Sequence, residues 1–171
     1  MGLLHAGQAV AILLLSNDFA LPVTAAFMEG PPGTTASTEE LFTLRLGPAV
    51  AAFLLMSALA HFVVAGPGWN KYRRDLAAHR NEQRWIEYAF SSSLMIVVIA
   101  SLSGIREIGT LVAVFGANAG MILFGWLQER MNPPGRERTT MMPFWFGTIA
   151  GIAPWIAIWV NVLGADGVPG F

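Results

Sequence analysis

Residues 84–100 read RWIEYAFSSSLMIVVIA. They open an apolar segment, 85–105, as long as an α-helix needs to cross a bilayer, about 20 residues. The segment nevertheless carries a carboxylate, Glu87, one turn before the hydroxyls of Ser91, Ser92 and Ser93. An ionisable side chain inside a membrane helix costs about 3 kcal/mol near the bilayer centre. A segment that keeps one points both to a membrane class and to a place to look for function.

Four further apolar segments run over 3–28, 47–65, 110–127 and 143–163. None shows the alternation of a barrel strand, and helices satisfy their own backbone groups in lipid. The expectation is an all-α membrane protein with five transmembrane helices in one domain, 1–171. Composition agrees: 54% of residues are hydrophobic and 12% charged, and mean hydropathy is +0.55, where a soluble domain carries about 25% charge. No cysteine is present, which removes disulfides and thiolate metal sites. A net charge of −1 gives no reason to expect nucleic acid. The first segment is a poor signal peptide: no Lys or Arg precedes it, and Asn17 and Asp18 interrupt it.

Eight of the ten Lys and Arg residues sit in two connections, 66–84 and 129–138. The positive-inside rule places both in the cytoplasm. The N-terminus is then cytoplasmic, in the plasma membrane, and the end of the chain, 164–171, is outside. The outer connection 29–46 contains the turn signal Pro31-Pro32-Gly33. Within it 35–38 and 41–46 are candidates for a short β-hairpin, since LFTLRL alternates apolar and polar residues.

Polar residues inside the spans pair by helical spacing. His5 and Gln8 are three apart, Ser57 and His61 four, Glu87 and Ser91 four, so each pair shares a face. The orientation sets all three pairs near the cytoplasmic side, where they would converge on a polar cavity. A carboxylate facing two imidazoles can pair with a buried cation, relay protons or help bind a divalent metal. Arg84, three residues before Glu87, is a competing partner at headgroup level. In the fourth segment Asn118, Met121, Ile122 and Gly125 form one stripe. In the fifth, Pro154 is expected to kink the helix, and Trp145, Trp155 and Trp159 supply large rings. Glycines beside such rings suit a flat apolar ligand between helices, or simply close packing.

RWIEYAFSSSLMIVVIA followed by FGANAGMILFGWLQE resembles the third and fourth helices of the heliorhodopsins, retinal-binding membrane photoreceptors. The likeness extends through His5 and Gln8, Ser57 and His61, and PWIAI at 154–158. It implies a rhodopsin-like bundle of seven helices with an inverted, cytoplasmic N-terminus. It implies that Glu87 is the counter-ion of a protonated retinal Schiff base, with Ser91 beside it. His5, Gln8, Ser57 and His61 would form the cavity on the cytoplasmic side. Met95, Asn118, Met121, Ile122, Gly125 and Trp155 would line the retinal pocket. The outer loop would form a small sheet that contributes to a homodimer. The family's role is light sensing through a signalling partner, without ion pumping and without enzymatic activity.

The chain departs from that pattern. The family's retinal is bound to a lysine of the seventh helix, and this sequence has a single lysine, Lys71, among the arginines of the first basic connection. The expectation is therefore a fragment truncated after the fifth helix, without the covalent anchor. Two other classes remain. One is a complete five-helix transporter or metal-binding protein using His5, His61 and Glu87. The other is a structural membrane subunit whose polar faces only pack.

Overall fold

The computed structural model describes residues 1–164. The last residues, including most of the segment expected outside, lie beyond the described ones. The order is α1 (Gly2–Leu15), β1 (Ala20–Phe27), β2 (Ser37–Arg45), α2 (Leu46–Ala65), α3 (Trp69–Ala77), α4 (Glu82–Leu102), α5 (Ile108–Met131) and α6 (Met142–Gly164). Four of these helices, α2, α4, α5 and α6, are long and apolar enough to cross a membrane. Their bounds fall within a few residues of those expected.

The first segment is different. The helix expected over 3–28 stops at Leu15, and the rest is strand. Ser, Asn and Asp compete for backbone hydrogen bonds and favour helix ends and turns. Here Ser16 Oγ donates to Leu13 O at 2.9 Å, and Phe19 N–H donates to Asn17 Oδ1 at 3.0 Å. Pro22 could not continue a helix without losing a backbone bond. The apolar remainder ALPVTAAF instead buries Leu21, Val23 and Ala25 on alternate positions.

The hairpin forms between other partners than expected. β1 pairs antiparallel with the whole of β2, from Ala20 opposite Arg45 to Phe27 opposite Ser37. A fold-back within 35–46 would have needed Glu39-Glu40 as its turn, and tight hairpin turns favour Gly or Asn. The reversal falls instead around Pro31-Pro32-Gly33, with Gly33 at φ +102°. A bulge between Val23 and Thr24 skips Leu41 on β2. Thr24 N–H then donates to Arg106 O at 2.9 Å, tying the hairpin to the α4–α5 turn. Val23 joins Ile96, Ile105, Leu111, Val114 and Ile158 in one buried cluster beneath it.

α1 lies antiparallel along α2. A Cβ on Gly2 would stand 3.2 Å from His61 Cβ, while Gly47 abuts Ser16 at the other end. α2 packs on α4, α4 on α5 and α6, and α5 on α6. α4 is the most enclosed span. Leu59, Val112, Ile149 and Val160 point outward and are exposed, the pattern of helices solvated by lipid. Glu107 caps α5, accepting from Gly109 N–H at 2.9 Å and Thr110 N–H at 2.6 Å. Those amides hold its carboxyl below the usual carboxylate range. Pro154 sits inside α6, as its sequence position required.

The first basic connection contains a helix the hydropathy pattern does not reveal. α3 follows the Gly66-Pro67-Gly68 turn and is short and amphipathic. Lys71 and Asp75, one turn apart, bond along it at 2.5 Å.

Candidate functional site

The close approach of α1 and α2 at Gly2 brings the rings of His5 and His61 to 5.4 Å between centroids. His5 Nδ1 stands 3.2 Å from Gln8 Oε1. His61 Nδ1 stands 2.7 Å from the backbone oxygen of Ser57, one turn back. A carbonyl only accepts, so Nδ1 of His61 carries the proton. In its neutral form His61 therefore leaves Nε2 as the basic atom. Ser57 turns its hydroxyl the other way and donates to Glu87 Oε1 across the α2–α4 contact, at 2.6 Å. Five of the residues singled out in the sequence thus form one continuous polar line from α1 through α2 to α4. A cavity of about 220 Å³ opens beside it, with His61, Tyr72, Asn81, Arg84, Glu87 and Tyr88 among its walls.

Ser91 does not join that line. It is buried on α4, one turn beyond Glu87, and the hydroxyl bonded to Glu87 is that of Ser57. The neighbouring serines serve α5 instead. Asn118 Nδ2 donates to Ser92 Oγ at 2.9 Å and Ser93 Oγ at 3.0 Å. This buried amide clamp is what Asn118 does here.

Arg84 is not the partner of Glu87 either. Its guanidinium lies 3.5 Å from Glu129 of α5 and 4.3 Å above the ring of Trp85. Glu129 also accepts from Trp85 Nε1–H at 2.5 Å and from the backbone N–H of Asn81. A second carboxylate, Glu82, holds Lys71 at 3.0 Å and Arg130. Sequence reasoning missed this network; the signal was two carboxylates set among the arginines at helix ends. Among the described residues no ion pair reaches Glu87.

The stripe expected on α5 divides. Met121 and Gly125 line a second cavity of about 440 Å³ between α4, α5 and α6, together with Trp85, Gln128, Pro143 and Gly147. Large side chains enter over the glycines: the Trp85 indole covers Gly125, and the Met121 thioether covers Gly151. Met95, Ile122 and Trp155 are not among the residues lining it; Trp155 is exposed on α6, and the other two are half-buried.

One reading of the cluster loses its footing. No group of three His, Cys, Asp or Glu is placed to hold a metal ion among the described residues. Ser57 stands between His61 and Glu87, which keeps a His-His-Glu set from closing. Lys71 is likewise no free amine. The Asp75 carboxylate, helped by Glu82, holds its ammonium above the usual lysine range, so it stays charged.

The residues present fit a cationic, flat apolar ligand in part. Glu87 offers a carboxyl group with no ion-pair partner among the described residues, and the second cavity offers an apolar groove beside glycines. They include no amine inside the bundle.

A family model described as Heliorhodopsin matches residues 1–171. No curated protein matches the chain.

Proposed function

Because the chain belongs to the heliorhodopsin family, we propose that it forms the counter-ion side of a light-sensing retinal site in a membrane. The observation that carries this reading is the bond from Ser57 Oγ to Glu87 Oε1. A carboxylate between apolar helices needs a compensating charge, and the described residues supply a hydroxyl rather than a cation. The protonated Schiff base of bound retinal supplies that cation and the absorption of light. Glu87 holds the opposing charge, and Ser57 fixes which carboxylate oxygen faces away from α2. His61 Nε2 and the adjoining ring of His5 are the proton-accepting positions on the same polar line. Met121 and Gly125 form the α5 wall of the apolar pocket. The single lysine, Lys71, is held by Asp75 and Glu82, so in this reading the amine that anchors retinal is a lysine outside residues 1–171.

Packing and charge together support one orientation. Gly2 lies against the end of α2, from which the first basic connection leaves. The N-terminus therefore shares a side with eight of the ten basic residues, and we place that side in the cytoplasm of a plasma membrane. The protein then senses light and signals to a partner rather than pumping ions or catalysing a reaction, and it works as a homodimer whose contact includes the β1–β2 hairpin.

The test is Glu87→Gln in the protein that includes the lysine-bearing helix, reconstituted with all-trans retinal. Loss of the counter-charge destabilises the ground-state cation, so the visible band moves to longer wavelength. An unmoved band, or a parent gene with no lysine in a later apolar helix, removes the proposal.

A further inference from the structure

Only some cations of the basic connections are neutralised. Lys71, Arg84 and Arg130 are neutralised by Asp75, Glu82 and Glu129 at the ends of α3, α4 and α5. Arg73 and Arg74 make no ion pair among the described residues, and both are exposed on α3. Helical spacing puts Trp69, Arg73 and Leu76 on one stripe, at i, i+4 and i+7. That stripe faces outward: Trp69 is 48% and Leu76 44% exposed. The Arg73 guanidinium lies 5.8 Å from the Trp69 ring centroid. Arg74 flanks the stripe on the side away from Leu76. The opposite side of α3 faces the bundle, where Lys71 bridges Asp75 and Glu82; Tyr72, beside the stripe, lines the cavity shared with His61 and Glu87.

An exposed Trp and Leu beside unpaired arginines are out of place on a helix surrounded by water. They suit a helix lying in the plane of a membrane interface, apolar edge inward and cations at the phosphates. The tether fixes the location. Three residues, Gly66 to Gly68, separate α3 from the end of the spanning α2, so α3 starts within about 10 Å of the bilayer boundary.

We propose that α3 binds anionic phospholipid, with Trp69 and Leu76 at the boundary between headgroups and acyl chains and Arg73 and Arg74 on the phosphodiester oxygens. This inference rests on the membrane setting alone and is independent of the retinal reading. Because Tyr72 belongs to the same short helix and lines the cavity, lipid charge then governs how firmly one wall of the Glu87 cavity is held.

The experiment is hydrogen exchange of the whole chain in vesicles of phosphatidylcholine and in an equimolar mixture with phosphatidylserine. Exchange over Trp69–Ala77 should slow on the order of tenfold in the acidic vesicles, as two arginines near a charged surface allow. High salt should cancel the effect. The double substitution Arg73→Gln, Arg74→Gln should also cancel it, while exchange in α5 and α6 matches the parent and shows that the fold is kept. Arg136→Gln with Arg138→Gln should leave it in place. Equal exchange in the two lipids overturns the proposal, as does slowing that survives the loss of Arg73 and Arg74. Protection that needs added soluble protein and no acidic lipid overturns it as well, and gives the face to a protein partner.

Discussion

Ser57 and Glu87 are 30 residues apart in the chain, yet the hydroxyl of one meets the carboxylate of the other. A hydrogen bond to a charged group contributes about 1.5–3 kcal/mol. Ser57→Ala should therefore lower stability by about 2 kcal/mol, read as a drop in the thermal midpoint, whereas Ser91→Ala should cost less because it leaves Glu87 its donor. Equal losses from the two would make Ser57 an ordinary packing residue. Much of this line was legible in the sequence. Spacings of three and four put His5 with Gln8 and Ser57 with His61 on shared faces, and the loop charges put those faces at one depth. Which serine serves Glu87 was not legible. Ser91 is its neighbour along one helix, and Ser57 its neighbour across two, and only the α2–α4 packing decides. Arg84 was hidden for the same reason: its partner, Glu129, is 45 residues away.

At the level of elements, hydropathy located α2, α4, α5 and α6 because twenty apolar residues in a row have one stable form in lipid. It misread 3–28 because apolarity alone does not separate a helix from a half-buried strand. The information was present in Ser16-Asn17-Asp18 and Pro22, which end one element and disfavour its continuation. α3 was missed for the converse reason, since a nine-residue charged helix leaves no mark on a hydropathy trace. Packing between α4 and α5 turns on Gly125, where a Cβ would run into the Trp85 ring. That ring cannot simply swing aside, being held by Glu129 at its N–H edge and Arg84 over its face. Gly125→Ala should cost about 1–3 kcal/mol as overpacking and alter the Trp85 emission. A variant as stable as the parent would mean that the indole moves freely.

The whole molecule turns apolar side chains outward and keeps its polar groups within lines and clamps: His5 to Glu87, Asn118 with Ser92 and Ser93, and the carboxylates among the arginines. This inversion of a soluble protein follows from a solvent that cannot hydrogen-bond. It was the most legible property of all, because it is written in composition. Least legible was the division of labour among the charges. The sequence shows a basic connection, and only the fold separates cations spent on Glu82 and Glu129 from those left facing outward. The β1–β2 hairpin has one more consequence at this scale. Its backbone is joined to the α4–α5 turn through the bond from Thr24 N–H to Arg106 O, and Val23 is seated in the buried cluster with Ile96 of α4 and Leu111 of α5. The hairpin is therefore a lever: a displacement at its tip is carried as leverage onto α4, the helix that holds Glu87.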